Sequence, residues 1–388
     1  MKALNQVAVD IPRSGIRSIL DEAANYRDVV HLEIGQPDFP TPAHIIEAAH
    51  KALLDGFTGY SPNAGLPSVR KAFADYLMKT HNIEVSADQI VVTVGAMGAL
   101  FNAFMATLNP GDEVLVPNPG YPNYRMAISL MHAVSVPYRL DVSKHGFSLN
   151  VEHIESLITE KTKAIVLNSP SNPTGMVATS DQVEALVAVA HRHHVYLISD
   201  EAYDQMLFSA RHVSPLSFDP DGNVFGMYSC SKTYSMAGWR VGFIVAPKRI
   251  SPLMAKLQEA YCSCAPTVSQ KAAEAALVNE QTCVEAMREA YRQRVEYACA
   301  LCEQMNIDYV RPSGAFYLMV KLPNHISMTS DDFALALVKS VQLAVAPGST
   351  FGSQGEGFVR LSLCCSESII KEGLQRLHKV FANPSVLR

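Results

Sequence analysis

The sequence is poor in charge. Only 18% of its 388 residues are Asp, Glu, Lys or Arg, and the formal net charge is −5. No basic stripe runs through it, so the electrostatic footprint of a nucleic-acid binder is missing. Cysteine is sparse: eight residues, at positions 230, 262, 264, 283, 299, 302, 364 and 365. That is no disulfide framework, and no C-x-x-C pair repeats at zinc-site spacing. Cys299 and Cys302 read as neighbours on a partly buried helix face, and the whole set as reduced thiols. His191, His193 and His194 at a helix end read as a solvated cationic C-terminus, and no metal is expected. Residues 1–15 lack the apolar core of a signal peptide. The most apolar stretch, Val91–Leu108, is broken by Gly95 and Gly98 and carries Asn102. A strand, a glycine turn and a buried helix explain it better than a membrane span of about 20 residues. Internal repeats and low-complexity segments are missing too. A soluble, cytoplasmic protein acting on small molecules is expected, with no nucleic acid and no membrane among its partners.

What is present is a large apolar content, 48% of residues, which excludes disorder. The length fits two domains. Short apolar runs alternate with amphipathic stretches of helical length, the pattern of an α/β protein with a mostly parallel sheet. Seven strands are expected at Ile90–Val94, Glu113–Pro117, Val134–Tyr138, Ala164–Asn168, Val195–Ser199, Val224–Tyr228 and Val241–Ala246. Helices are expected at Ala43–Leu54, Ser68–Lys79, Ala96–Leu108 and Ser180–His191, with two long ones over Pro252–Leu277 and Cys283–Met305. After Met305 shorter strands, at Ile307–Arg311, Phe316–Val320 and Phe358–Leu363, mix with helices at Asp331–Ser340 and Glu367–Phe381, as in a smaller α+β domain. The expected division is an N-terminal segment, 1–41, packing on the small domain, a large domain, 42–280, and a small domain, 281–388.

In an open parallel sheet ligands bind beyond the carboxyl ends of the strands. The chemistry-bearing residues of this sequence fall in those loops. Val224–Tyr228 runs into Ser229-Cys-Ser-Lys232, with Arg240 following. Burial lowers a lysine pKa and frees a nucleophilic amine, which can condense with an aldehyde cofactor; a surface lysine would do neither. Ser229 and Arg240 offer a hydroxyl and a guanidinium to a phosphate. Val195–Ser199 runs into Asp200-Glu-Ala-Tyr203. Asp200 reads equally as a helix cap or as a buried carboxylate holding a proton on a pyridine nitrogen. Ala164–Asn168 runs into Asn172-Pro-Thr-Gly, which is turn chemistry on its own, or a rigid asparagine facing a ligand. Ile90–Val94 runs into Gly95-Ala96-Met97-Gly98, small residues opening a helix whose free N–H groups can meet an anion.

These motifs, in this order and spacing, resemble the class I/II pyridoxal-phosphate-dependent aminotransferases, of the aspartate aminotransferase fold type I. The resemblance starts at Gly35-Gln-Pro-Asp-Phe39 and passes Tyr60-Ser-Pro-Asn-Ala-Gly65. It continues through Asn172, Asp200, Tyr203, Lys232 and Gly238-Trp-Arg240 to Pro312-Ser-Gly-Ala-Phe-Tyr317 and Val359-Arg360-Leu-Ser362. It implies a cofactor, pyridoxal 5'-phosphate, bound at Lys232. Asp200 would partner the ring nitrogen, and Tyr203 and Asn172 would donate to the phenolic oxygen. Tyr121 would lie on the ring. The backbone of Ala96 and Met97, with Ser229 and Arg240, would form the phosphate cup. Arg360 would grip the substrate α-carboxylate, with Gly35 and Asn172 beside it. Tyr60 would reach the phosphate of the neighbouring subunit, so a homodimer with active sites at its interface is implied. Lys232 is the implied catalytic base.

The implied reaction moves an amino group between an L-amino acid and a 2-oxo acid, with glutamate and 2-oxoglutarate as one pair. Aspartate-specific relatives often use a second arginine from the other subunit. No arginine stands here between Arg249 and Arg288. Tyr261, Cys262 and Cys264 occupy that stretch, as a less polar substrate rim or as ordinary dimer packing. The same motifs would serve a C–S lyase eliminating on the same cofactor. A regulator using such a domain as an amino-acid sensor would need a DNA-binding region before Gly35, and residues 1–34 are too short and insufficiently basic for one.

Overall fold

The structure, a computed structural model, describes residues 2–11, 13–143, 145–208, 212–219 and 222–387. All seven expected apolar runs form one sheet. Its strands are β1 (Ile90–Thr93), β2 (Glu113–Asn118), β3 (Val134–Arg139), β4 (Thr162–Asn168), β5 (Tyr196–Asp200), β6 (Val224–Ser229) and β7 (Gly242–Val245). The spatial order is β1-β7-β6-β5-β4-β2-β3. Strand β7 is antiparallel to both neighbours, and every other pairing is parallel. Helices cover both faces, so inner strands are apolar throughout and not alternating. Their alternation shows in where side chains go. Ile90 and Val92 join the helices Ala43–Leu54, Pro67–His81 and Thr267–Val278 in one core, while Val91 packs with Leu100 and Phe104 of Gly95–Thr107 on the opposite face.

A second, antiparallel sheet is built from Tyr309–Val310, Tyr317–Lys321, Phe358–Ser362 and Ala346–Pro347, neighbours in that order. Its core includes Leu318, Val320 and Val359 from the sheet, Phe333 and Leu337 from helix Ser330–Val341, and Leu374 and Leu377 from helix Glu367–Ala382. Ile19, Ala23, Val30 and Leu32 from the start of the chain join the same cluster. Val30–His31 pairs in parallel with Leu343–Ala344, and the Ser362 N–H donates to the Leu32 carbonyl at 2.7 Å. These bonds carry Glu33, Ile34 and Gly35 past the C-terminal end of strand Phe358–Ser362.

One expected element is corrected. The single helix over Pro252–Leu277 is two, Ser251–Cys262 and Thr267–Val278. Ser263 takes a φ of 62°, which ends the first helix, and Pro266 caps the second. Proline has no N–H to continue a helix from the preceding turn, and its ring restricts the residue before it. All eight cysteines are free. Among the described residues no helix is long and apolar enough to cross a membrane.

Candidate active site

The loops after β1, β2, β4, β5 and β6 converge with the segment Glu33–Gln36 and with Arg360 on one cavity of about 370 Å³. Parallel strands put these loops at the same sheet edge. Lys232, Asp200, Tyr203, Asn172, Tyr121, Ala96, Met97, Ser229, Arg240, Gly35 and Arg360 all line it. Tyr60 does not; its side chain is exposed at 92% on the surface of the single chain.

Ser229 caps the short helix Cys230–Thr233, its hydroxyl accepting from the Ser231 N–H at 3.1 Å. This turn aims Lys232 into the cavity, where its ammonium donates to the Gly35 carbonyl at 2.5 Å. Desolvation pulls its pKa from the ordinary lysine value down to about 8. The positive charges of Arg360 and Arg240 pull the same way, against the Cys364 thiol. A desolvated amine beside two guanidiniums is the state that attacks a carbonyl near neutral pH.

Asp200 ends β5 with its carboxylate held by two donors, the Tyr124 hydroxyl at 2.5 Å and the Ala202 N–H at 3.2 Å. Burial raises its pKa, and those two hydrogen bonds oppose the rise. No cation pairs with it among the described residues, so a cationic N–H donor would complete its environment. Asn168 braces the neighbouring loop, accepting from the Asn172 N–H at 2.8 Å and donating to the Asp200 carbonyl at 3.1 Å. The Tyr203 and Tyr317 hydroxyls share a hydrogen bond of 2.8 Å.

The helix Gly95–Thr107 opens on Gly95 at φ 68° with no side-chain cap, so its first N–H groups have no acceptor of their own. A Cβ on Gly95 would stand 2.8 Å from Arg240 Nη2, and one on Gly242 would stand 2.9 Å from the Ala96 nitrogen. The two glycines leave a cradle between helix start and guanidinium that suits a phosphate dianion.

Arg360 is buried to 1% exposure, and among the described residues no carboxylate pairs with it. It donates through Nη1 to Asn172 Oδ1 at 2.9 Å and through Nη2 to the Glu33 carbonyl. Its guanidinium lies 4.2 Å from the Tyr317 ring centre and 5.0 Å from that of Phe351. Nε has no partner. Burial lowers its pKa. A buried cation held only by neutral groups is costly until an anion arrives. A Cβ on Gly35 would strike the Tyr317 hydroxyl, so only glycine lets the chain pass there.

Among the cavity residues assigned no role from the sequence are Tyr124, Asn168, Tyr317 and Arg17. Tyr317 stands in the quoted Gly314-Ala-Phe-Tyr run, and Tyr124 one turn past Tyr121, so position could have marked both. Nothing local marks Arg17.

Behind the Lys232 turn lies a buried polar cluster. Asp204 accepts from the Tyr76 hydroxyl at 3.0 Å and the Thr233 hydroxyl at 3.2 Å, and pairs with His81 Nε2 at 2.9 Å. Burial lowers the His81 pKa, but the Asp204 hydrogen bond and charge overcome it and leave it raised. Burial raises Asp204, and the His81 bond and charge reverse that to a net depression. The stability from His81 is therefore present below its unfolded pKa of about 6.5 and lost as pH climbs through its raised folded value. The stability from Asp204 is present above about 3.9 and lost as pH falls through its depressed value. Melting curves from pH 3 to 9 should peak between those limits. His81→Gln should remove about 3–5 kcal/mol at the peak and flatten the alkaline limb. An unchanged limb would take His81 out of the pair.

The sequence profile described as aminotransferase class I and II matches residues 27–377. The chain is 40% identical to a probable N-acetyl-LL-diaminopimelate aminotransferase of Bacillus subtilis (strain 168), over 96% of this chain and 94% of that one. It is 38% identical to an aspartate aminotransferase of Pyrococcus abyssi, over 95% of each chain. Among solved structures, the aspartate aminotransferase from Thermus thermophilus with maleate matches at a TM-score of 0.93 and 35% identity, covering 98% of this chain and 100% of that one.

Proposed function

The chain belongs to the class I and II aminotransferases, and from that premise we propose that Lys232 carries pyridoxal 5'-phosphate and that glutamate with 2-oxoglutarate is one of its substrate pairs. The observation that carries this reading is one cavity holding a desolvated lysine amine and a buried arginine with no counter-ion among the described residues. The residues present fit the cofactor. The cradle of Gly95, Ala96, Met97, Ser229 and Arg240 would hold its phosphate, Asp200 its ring nitrogen, Tyr203 and Asn172 its phenolic oxygen, and Tyr121 would pack on its ring.

When bound, pyridoxal phosphate supplies an aldehyde for amine exchange and a ring that takes up the electrons of the substrate Cα–H bond. The protein does the rest. Asp200 keeps a proton on the ring nitrogen. Arg360, with Asn172, holds the substrate α-carboxylate and so turns the Cα–H bond toward Lys232 Nζ. Released from the aldehyde carbon by that amine exchange, Lys232 Nζ would take the Cα proton and pass it to the same former aldehyde carbon. The exposed Tyr60 would reach the phosphate in a partner subunit, in a cytoplasmic homodimer.

The test is a half-reaction series with one amino acid at a time and no oxo acid. Conversion to pyridoxamine phosphate with one equivalent of 2-oxo acid is expected, fastest with the true substrate class. Catalytic release of pyruvate and ammonia, with the cofactor still an aldehyde, would make the protein a lyase instead.

A further inference from the structure

A fourth cation lines the cavity and the roles above leave it unused. Arg17 sits on helix Gly15–Ala23, exposed at the cavity rim. Asp21, one turn along the same helix, pairs with Arg13 at 2.5 Å. Of the cavity's carboxylates, Glu33 is fully buried and takes His31 at 2.8 Å, and Asp200 lies at the floor with Tyr124. Among the described residues no acid pairs with the Arg17 guanidinium. Its charge nevertheless reaches the site: the Tyr121 phenol feels Arg240, Arg360 and Arg17 together.

The cavity thus has four cationic side chains, Lys232, Arg240, Arg360 and Arg17, against two carboxylates. Cofactor phosphate answers Arg240, the cofactor aldehyde takes up Lys232, and the substrate α-carboxylate answers Arg360. One positive charge remains, at the mouth, with Ile16, Leu20 and Ile34 beside it. An apolar wall ending in a cation matches a methylene chain ending in an anion.

We propose that Arg17, from the same chain as Lys232, binds the distal carboxylate of the substrate, so that the enzyme prefers dicarboxylic amino acids and 2-oxo acids to neutral ones. The proposal rests on the aminotransferase reading and on Arg360 holding the α-carboxylate. It replaces the interface arginine that this chain lacks with one from the N-terminal helix.

Holoenzymes of wild type, Arg17→Gln and Arg17→Lys would be compared in the half-reaction with glutamate, aspartate, norvaline and methionine. In Arg17→Gln, kcat/KM for the two dicarboxylates should fall roughly 10- to 100-fold, the range for losing one charge-assisted contact, while the neutral amino acids change less than about twofold. Arg17→Lys should keep most of the dicarboxylate preference, because the charge stays. Equal losses for all four amino acids, or none, would overturn the proposal, since a purely structural arginine cannot discriminate between side chains. A wild type that transaminates only neutral amino acids would overturn it and leave the aminotransferase reading standing. A wild type that transaminates nothing would overturn both.

Discussion

Lys232→Ala protein will bind pyridoxal phosphate but fail to turn over. Two functions leave with the amine. One is the covalent link to the cofactor aldehyde, and the other is the base at the substrate Cα. General-base catalysis alone is worth about 10²–10⁴-fold, so a loss of at least ~10³-fold in kcat is expected. The visible absorbance of a lysine-bound aldehyde should vanish with it. The pKa adds a second signature. The Lys232 ammonium is pulled down to about 8. Only the neutral amine attacks an aldehyde, and it is the dominant form above that value. Cofactor capture by the wild-type apoprotein should therefore accelerate as pH rises and level off just above 8, well short of ordinary lysine. Stopped-flow absorbance reads this directly. Normal turnover by Lys232→Ala would end the assignment. A capture profile that keeps climbing to pH 10 would mean that the lysine is not desolvated.

The sheet was legible because helices cover it on both faces. Each of the seven strands begins and ends within two residues of its apolar run, for instance Val224–Ser229 against an expected Val224–Tyr228. Two-sided burial leaves few polar positions to interrupt the inner runs, whereas the edge strand Val134–Arg139 is largely unburied. The helix at 252–277 misled for the opposite reason. Met254 before the break and Ala272 and Ala276 after it are buried and stand at helical spacing, so the apolar pattern carries across residues 263–266. Pro266 was the stop signal. The two-residue strands Val30–His31 and Leu343–Ala344 are too short to hold any period. At the site, residues at strand ends could be picked out because parallel strands deliver them to one edge. Tyr124 could be marked only as a neighbour of Tyr121, since its meeting with Asp200 spans 76 positions of sequence. Arg17 depends on an N-terminal helix folding back over the cavity mouth, which no local pattern encodes.

Arg360→Ala should lower kcat/KM for amino acids steeply while pyridoxal phosphate affinity moves by no more than a few-fold. Truncating one partner of a desolvated charge pair costs about 2–5 kcal/mol, which is roughly 30- to several thousand-fold. The loss should appear mainly in KM if Arg360 only binds the α-carboxylate. It should enter kcat as well if the guanidinium also sets the angle of the Cα–H bond. Arg360→Lys is not a mild change here. A lysine cannot reproduce the two-nitrogen fork that meets Asn172 and the Glu33 carbonyl, nor the stacking on Tyr317. The same residue predicts an opposite effect on folding. In the apoprotein Arg360 is a buried charge with no anion, a state in which desolvation outweighs what neutral partners return. Arg360→Met, apolar and of similar length, should leave the apoprotein melting no lower than wild type, even as catalysis collapses. A binding site kept charged and unpaired is stability withheld until the substrate carboxylate supplies the missing partner. If Arg360→Met melted several degrees lower and kept normal amino-acid kinetics, Arg360 would be a structural strut, and the α-carboxylate would have to be held elsewhere.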